Sequence, residues 1–154
     1  MKILFKTLII VLFINISANS EIVKEIKVDG NQRVSSETIK VFSGVEINSD
    51  LTSDQINNIL KNLFSTNYFS DISINLENNV LYISVIENPI IQNVNFDGVK
   101  NKRILEVLNE QIELKEKNSF VENKVKNDVE KITNILRSNG YYFAEVKTKL
   151  KKNN

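Results

Sequence analysis

Carboxylates are the main side chains left for acid–base chemistry in this chain, because the sequence contains no Cys and no His. Thiol nucleophiles, disulfides, histidine bases and most zinc sites are thereby excluded. The acidic residues form no recognisable catalytic pair, and neither a GxGxxG nor a GxxxxGK[ST] phosphate loop occurs. We therefore predict a non-enzymatic protein with no cofactor, no metal site and no small-molecule substrate.

The charges are divided unevenly along the chain, although the net charge of the whole sequence is only +1. Residues 21–99 carry five Lys or Arg against eleven Asp or Glu, whereas residues 100–154 carry thirteen against eight. This balance gives no global field that would attract nucleic acid. We expect two solvated surfaces of opposite sign and no nucleic-acid partner.

Residues 1–20 have the three parts of a secretory signal peptide. Two lysines precede an apolar run within residues 8–16, and Ala18 and Ser20 are the small residues ahead of a cut before Glu21. As a helix the apolar run would be about 13 Å long, too short to span a hydrocarbon core of about 30 Å. We predict cleavage between Ser20 and Glu21, with an uncleaved anchor as the alternative.

Residues 21–89 have the pattern of one folding unit with three strands. Alternating apolar residues predict a strand over residues 22–28 that ends at the turn signal Asp29-Gly30. Alternation over residues 71–76 predicts a second strand. The nearly apolar stretch VLYISVIENP predicts a third, ended by Pro89, that lies between two partners in the sheet.

Two helices are predicted between the first and second of these strands. Ser35 or Ser36 caps the shorter helix, and Gly44 closes it. Thr52 and Gln55 have the spacing of a capping box at the start of the longer helix. The apolar face of that helix consists of Ile56, Ile59, Leu60, Leu63 and Phe64. The predicted order is therefore β-α-α-β-β.

The same order begins again in residues 90–154. The stretch IIQNVNFDG alternates and ends in Asp97-Gly98, sixty-eight residues after Asp29-Gly30. Ser119 and Glu122 repeat the capping-box spacing, and YYFAEVKTKL predicts the next strand. Apolar helical positions are Ile104, Leu105, Leu108 and Ile112 in the first helix and Val125, Val129, Ile132, Ile135 and Leu136 in the second. The second unit has no counterpart of the third strand.

The stretches IKVDGNQRVSSETIK, LFSTNYFSDISI and LYISVIENPIIQNVNFDG resemble the start of the BamA family, the central subunits of the outer-membrane β-barrel assembly machine. The resemblance covers nearly all of residues 21–150. It implies tandem polypeptide-transport-associated (POTRA) domains, each an α+β fold with two helices on one face of a three-stranded mixed sheet. POTRA domain 1 would occupy residues 21–89, and an incomplete POTRA domain 2 would occupy residues 90–154.

Two departures from the family pattern concern the missing parts. The family carries more POTRA domains and a membrane barrel, and the second unit here lacks its last strand. We expect the chain to be a fragment of a longer protein. The alternative is a natural short relative that completes its sheet with another chain.

The resemblance implies a periplasmic module that binds unfolded β-barrel precursors and docks chaperones or assembly lipoproteins for insertion into the outer membrane. We expect an exported protein at the periplasmic face of the outer membrane, attached through a barrel absent from this chain. An open sheet edge can add a strand of another chain. The predicted edge carries polar outward residues, Asp71, Ser73 and Asn75, next to Leu76; the alternative is that they mark only solvent exposure.

Three other functions stay open from the sequence. The chain could be the POTRA module of a dedicated secretion translocator, or a membrane-anchored division-type scaffold if the N-terminus is not cleaved. An α/β nucleic-acid-binding repeat is the third, against which the acidic first unit and the export signal both weigh. Lys147, Lys149 and Lys151 are interpreted as gatekeepers against edge aggregation.

Overall fold

The computed structural model describes residues 21–152, and the predicted order β-α-α-β-β is confirmed in the first unit. The elements of that unit are β1 (Glu21–Ile22), β2 (Glu25–Asp29), α1 (Ser36–Ser43), β3 (Asp50–Leu51), α2 (Ser53–Ser65), β4 (Phe69–Glu77) and β5 (Val80–Glu87). Two helices of the second unit follow, α3 (Lys102–Gln111) and α4 (Glu122–Ser138). The proposed cleavage site stays a prediction, since Ser20 lies outside the described residues while Glu21 begins β1.

The three-stranded sheet is mixed and has the order β2-β5-β4. β2 runs parallel to β5, with Ile26 opposite Leu81, and β4 runs antiparallel to β5, with Ile72 opposite Val85. The central position of β5 follows from its apolar sequence, because a strand with a partner on each side loses most of its contact with water. β2 and β4 are therefore the two edges of this sheet.

Asn78 and Asn79 join β4 to β5 in a two-residue turn. Both have positive φ, 52° and 65°, as a type I′ hairpin turn requires, and Asn tolerates this conformation better than most residues. The turn sets Glu77 opposite Val80 and so fixes the register of the whole hairpin.

One face of the sheet packs against α1 and α2. Ile39 of α1, Leu63 of α2, and Leu81 and Ile83 of β5 have no measurable exposure. Burying one such side chain stabilises the fold by about 1.5–3 kcal/mol. The rest of this core consists of Val23, Ile26, Leu51, Ile59, Phe69, Ile72 and Val85. The opposite face of the sheet is exposed, so the first unit has two layers as predicted.

The predicted first strand is interrupted, which corrects the expected alternation from Ile22 to Val28. Val23, placed by that alternation on the opposite face from Ile26, is fully buried, whereas Ile22 is 43% exposed. The backbone of Val23 exchanges hydrogen bonds with the loop before β3, donating to Ser49 and accepting from Asn48. These hydrogen bonds interrupt the strand between Ile22 and Glu25. The buried and exposed side chains before and after the interruption therefore do not follow one continuous alternation.

The helix starts of the first unit agree with the sequence. The Ser35 hydroxyl accepts from Thr38 N–H at 3.1 Å, and Gly44 ends α1 in the left-handed region at φ 69°. Thr52 Oγ1 accepts from Gln55 N–H at 3.3 Å, while Gln55 Oε1 accepts from Thr52 N–H at 2.8 Å. The predicted capping box of α2 is therefore confirmed.

The second predicted capping box is wrong. Val121, not Ser119, is the N-cap of α4, and it makes no side-chain cap bond. Ser119 instead lies in an isolated antiparallel bridge with Ile90, so its backbone is extended two residues too early to cap the helix. Its hydroxyl oxygen is buried without a hydrogen-bond partner among the described residues.

Alanine substitutions at Thr52 and Ser119 should therefore have different effects on the free energy of unfolding. Thr52→Ala is expected to lower the free energy of unfolding by about 1 kcal/mol, because it leaves α2 donors unsatisfied. Ser119→Ala should leave that free energy unchanged or raise it slightly, because the buried hydroxyl has no bond to lose. Urea unfolding of both variants beside the parent chain measures the two changes. A loss at Ser119 as large as that at Thr52 would restore Ser119 as a cap.

The second unit forms its helices but not its predicted strands. IIQNVNFDG has one isolated bridge at Ile90 and is otherwise irregular, and YYFAEVKTKL begins with a turn and continues without strand structure. Both predicted strands are wrong for the described residues, because neither segment meets a central strand that could receive its backbone bonds. The buried cluster is correspondingly small and consists of Ile104, Leu108 and Leu136.

Candidate functional site: an open sheet edge and the joint beside it

β4 pairs with β5 on one side, and within residues 21–152 no strand lies on its other side. The turn around Asn78-Asn79 comprises the four residues 77–80, and in such a turn the N–H of the fourth residue donates to the C=O of the first. Glu77 and Val80 therefore form a hydrogen-bonded pair. Such pairs alternate along an antiparallel ladder. The odd-numbered residues from 71 to 77 therefore bond to β5, and Ile72, Ile74 and Leu76 direct their backbone groups away from it.

The residues predicted for the edge do lie together on β4. Asp71, Ser73 and Asn75 are exposed on the solvent face of the sheet, and Leu76 packs half-buried against the core. Sequence reasoning missed Ile72 and Ile74, whose side chains belong to the core while their backbones belong to the edge. Apolar alternation identifies such residues as core, and only the hairpin register shows where their N–H and C=O groups point.

A β-bulge at Ser70 limits the length of the available edge. The register shifts between Phe69 and Asp71, and the Ser70 hydroxyl donates to Ile86 O at 3.1 Å. From Asp71 to Glu77 the register is continuous. Because a bulge disrupts pairing locally, these seven residues are the part of β4 that can present a regular edge to another strand.

The opposite edge of the sheet is shorter. β2 has five residues, and its Lys27 lies between the Glu25 carboxylate, 3.7 Å away, and the Tyr82 ring, whose centroid is 5.8 Å from Nζ. Lysines on an edge oppose pairing with another chain. β4 is thus the edge of this sheet better suited to accept a strand.

The second part of the candidate site is the joint, formed by the end of β5 at Glu87 and Asn88 and by the loop of residues 30–34 that binds it. Glu87 Oε1 accepts three backbone N–H groups, from Gln32 at 2.8 Å, Arg33 at 2.9 Å and Val34 at 3.0 Å. Arg33 Nε lies 2.9 Å from the other carboxylate oxygen, and the Glu87 side chain is only 8% exposed. One carboxylate therefore holds the whole loop that follows β2.

The charge of Glu87 is favoured by this surrounding. Burial raises the pKa of Glu87, but the three N–H donors and the Arg33 guanidinium together outweigh it and hold the pKa below the ordinary value of 4.5. At neutral pH the group is an anion, and its stabilising effect depends on that charge.

Asn88 connects the same joint to the start of β4. Its backbone N–H donates to Tyr68 O at 2.7 Å, and its side-chain amide donates to Asn67 O at 2.9 Å. Its own carbonyl accepts from Arg33 Nη2 at 2.5 Å. Arg33 and Asn88 thus fix the chain on both sides of the β4 entry, which keeps the edge strand in register.

The residues after the joint are held by the loop between α3 and α4. Pro89 O accepts from Phe120 N–H at 2.7 Å, while Ile91 accepts from Lys117 at 2.8 Å and donates to Asn118 at 2.9 Å. Backbone hydrogen bonds therefore hold the segment that joins the first unit to the second.

Asp128 is a buried carboxylate that the helical pattern did not predict. It is 5% exposed and accepts from the backbone N–H groups of Glu113 and Leu114, both at 2.9 Å. It closes the turn after α3, so its role is structural. No local pattern in the sequence indicates this role, because the two partners of Asp128 are backbone groups fifteen and fourteen residues away.

Metal-binding clusters and membrane-spanning helices are not found in the part of the chain that the structure describes. Residues 21–152 contain no cluster of three or more Asp or Glu placed to hold a metal ion. None of the four described helices is both long and apolar enough to cross a bilayer. A groove on the surface of α2 is lined by Asn57, Leu60, Lys61, Phe64 and Ser65.

Comparison of the sequence with known proteins identifies similar domains. Residues 89–154 match the family described as "POTRA: Surface antigen variable number repeat". The outer membrane protein assembly factor BamA of Neorickettsia risticii is 35% identical over 89 residues, 58% of this chain and 12% of that protein. BamA of Neisseria meningitidis is 28% identical over 78 residues, 51% of this chain and 10% of that protein. The matches span only about a tenth of these relatives.

Solved structures show the same fold. The N-terminal domain of Omp85 from Thermosynechococcus elongatus superposes with a TM-score of 0.54 at 18% identity, covering 79% of this chain and 53% of that one. POTRA1-2 of the periplasmic domain of Omp85 from Anabaena superposes with a TM-score of 0.52 at 15% identity, covering 84% and 87%. With its β-α-α-β-β unit and mixed sheet, this chain has the fold of the POTRA domains in these Omp85 structures, and its sequence is similar to part of the two BamA proteins.

Proposed function

We propose that this chain is the periplasmic POTRA portion of an outer-membrane protein assembly factor, and that β4 binds unfolded β-barrel precursors by strand addition. The observation that carries the proposal is the regular seven-residue edge from Asp71 to Glu77, which has no strand on its outer side within residues 21–152. Extended peptides commonly bind such edges through main-chain hydrogen bonds.

The energetics suit a module that receives many different clients. Four or five added backbone bonds contribute roughly 2–7 kcal/mol before the cost of ordering the bound segment. Each ordered residue costs about 1–2 kcal/mol of backbone entropy, so the net affinity is low. Main-chain bonds carry little sequence information, and the exposed side chains beside the edge are small or polar. Binding is therefore weak and tolerant of sequence.

The names of the relatives support the proposed location and partners. BamA proteins are named as outer membrane protein assembly factors, and the matched Anabaena domains are described as periplasmic. We accordingly place this chain in the periplasm, attached to the outer membrane through a barrel outside the present sequence. Periplasmic chaperones or assembly lipoproteins would dock on the same domains.

Site-directed crosslinking tests the proposed edge. The chain contains no Cys, so Asn75→Cys on β4 and Lys61→Cys on α2 each give one attachment point for a photoreactive maleimide. An unfolded outer-membrane β-barrel protein, diluted from urea, is the probe. We expect strong crosslinking from position 75 and little from position 61, because the edge rather than the helix groove receives the strand.

The control uses an unfolded all-helical protein of similar size, which lacks long segments of high strand propensity. It should crosslink weakly from both positions. Equal crosslinking of the barrel protein from both positions would contradict strand addition at β4 and indicate general contact with apolar surface.

A further inference from the structure

The regular part of the β4 edge carries an acidic residue at each end. Asp71 and Glu77 are exposed on the solvent face of the sheet, and the uncharged Ser73 and Asn75 lie between them. At about 3.4 Å per residue along a strand, the two acids are about 20 Å apart. Neither carboxylate has an ion pair among the residues that the structure describes. No described neighbour therefore compensates these two charges.

The other strands of the sheet bring no cation next to these acids. In the register of the hairpin, Asp71 lies opposite Ile86 and Glu77 lies opposite Val80 of β5. Lys27 belongs to β2, on the far side of β5. A cation that pairs with either acid across neighbouring strands would therefore have to enter on the outer side of β4.

Asp71 also occupies the first hydrogen-bond donor of the edge. Its Oδ1 accepts from the Ile72 N–H at 3.0 Å. Because the backbone groups of Ile72 point away from β5, this N–H is one of the groups that an added strand needs. The carboxylate must therefore turn away before a strand can bond along the whole edge. A lysine or arginine opposite Asp71 gives the carboxylate a new partner, whereas an acidic residue there repels it.

An added antiparallel strand would bring its side chains close to both acids. The odd-numbered residues from 71 to 77 bond to β5, so they would form the pairs with the added strand that lack mutual hydrogen bonds. Side chains lie closest in such pairs, whose Cα atoms are about 4.5 Å apart. The bulge at Ser70 and the turn at Asn78-Asn79 end the regular edge on its two sides. The acids therefore mark the two ends of the added strand.

A second copy of the chain fits this edge poorly. If the β4 strands of two copies paired antiparallel over the same residues, Asp71 of each copy would face Glu77 of the other. Like charges directly opposite each other destabilise a strand pair, whereas opposite charges stabilise it. The occupant that the charges favour is thus a strand with basic ends, and not another β4.

We propose that the β4 edge selects strands that carry lysine or arginine at two outward positions, opposite Asp71 and Glu77, and apolar residues at the three positions facing the same side as Ile72, Ile74 and Leu76. The selection rests on the proposed function, since it acts on a strand that adds to β4. It identifies the segments of a barrel precursor that bind best. Each ion pair across the strands contributes modestly, so strands without these basic residues bind more weakly but still bind.

Two peptides of the same composition test the position of the basic residues. With blocked termini, KVTVTVK places its lysines opposite Asp71 and Glu77, whereas TVKVKVT places them opposite Ser73 and Asn75. Each sequence reads the same in both directions, so the direction of the added strand does not change which residues the lysines meet. The two peptides have the same net charge, so general attraction to the acidic first unit does not distinguish them.

Titration of the isotope-labelled protein by nuclear magnetic resonance measures both affinities. The amide shifts of Ile74 and Leu76 report strand addition, and the amide shift of Ile72 reports release of the Asp71 carboxylate. We expect KVTVTVK to bind about fivefold more tightly at low salt, because it forms two attractive pairs across the strands. The difference should shrink at high salt, where these exposed charges are screened.

A variant with one acid moved is the matched control. Asp71→Asn combined with Ser73→Asp shifts an acid from the end of the edge to its middle and leaves the net charge unchanged. The asparagine keeps an oxygen that can accept from the Ile72 N–H. Each peptide then forms one attractive pair with this variant, so the two peptides should bind about equally.

Three results would overturn the proposed selection. Equal binding of both peptides to the parent protein, with shifts at Ile74 and Leu76, would show strand addition without selection by charge and would leave the proposed function intact. A preference for KVTVTVK that persists in the variant would assign the preference to groups other than Asp71. The absence of shifts at Ile74 and Leu76 with either peptide at millimolar concentration would contradict strand addition itself, and the selection with it.

Discussion

Gly30→Ala is expected to destabilise the first unit by about 3–5 kcal/mol, the largest effect of any single substitution considered for this chain. Gly30 has φ +81°, and a Cβ at this position would stand 2.1 Å from the carbonyl oxygen of Val85. Backbone atoms of the central strand cannot move aside as a flexible side chain could. The substitution combines a disfavoured backbone conformation with a steric clash, and it displaces the loop that binds Glu87.

The repeat supplies a matched control for this prediction. Gly98 is the equivalent residue of the second unit, with φ +89°, but a Cβ there would meet nothing within 4 Å. Gly98→Ala should therefore show only the conformational penalty, about 1–2 kcal/mol. Amide exchange at Ile83, in the core of the first unit, reports the first substitution, and exchange at Leu108 reports the second. Similar losses of amide protection in the two variants would show that the contact between the added Cβ and the Val85 carbonyl oxygen is not the cause.

Glu87→Gln should lower the free energy of unfolding by about 2–3 kcal/mol at neutral pH. The amide keeps the shape of the carboxylate but weakens its three bonds from the Gln32–Val34 loop, and its NH₂ group faces the Arg33 guanidinium. Glu25→Gln is the control, because the ion pair of Glu25 with Lys27 is exposed and contributes little. Urea unfolding of both variants measures the difference.

The pH dependence of the Glu87 contribution has a definite sign. Because the folded-state pKa lies below the ordinary value of 4.5, the charged form stabilises the fold at all pH values above that value. As the pH falls through 4.5 toward the folded-state pKa, both states become protonated and the contribution is lost. The gap between the parent chain and Glu87→Gln should thus be constant from pH 7 to about 5 and shrink in stronger acid. A gap that widens in acid would contradict this assignment of charge.

The sequence predicted the elements whose signals are local. The Thr52–Gln55 capping box, Gly44 and the apolar run of β5 each depend on neighbours a few residues away, and each prediction is confirmed. The interruption at Val23 depends on bonds to Ser49 and Asn48, far along the chain, so alternation alone could not reveal it. Ser119 failed as a cap for the same reason, since its bridge to Ile90 decides its conformation.

The candidate site was predicted in part. Asp71, Ser73 and Asn75 were chosen because they are polar on a strand, and they do line the exposed face of β4. The backbone groups that would bind another strand belong to Ile72, Ile74 and Leu76, which alternation assigns to the core. Glu87 and Arg33 were overlooked because the three backbone N–H groups that bind the Glu87 carboxylate lie 53 to 55 residues before it in the chain. Charge in the sequence does not show which carboxylate will face three backbone donors.

The proposed function requires that an unfolded barrel precursor adds a strand to the β4 edge. Hydrogen–deuterium exchange of the β4 amides, with and without that precursor, tests it most directly. Ser73, Asn75 and Glu77 already bond to β5, so their protection should not change, whereas Ile74 and Leu76 should become protected. The Ile72 N–H, which donates to Asp71 Oδ1 at 3.0 Å, should gain protection by exchanging this exposed acceptor for the added strand. Protection of every β4 amide alike, or protection confined to α2 with none at Ile72, Ile74 and Leu76, would contradict strand addition at this edge.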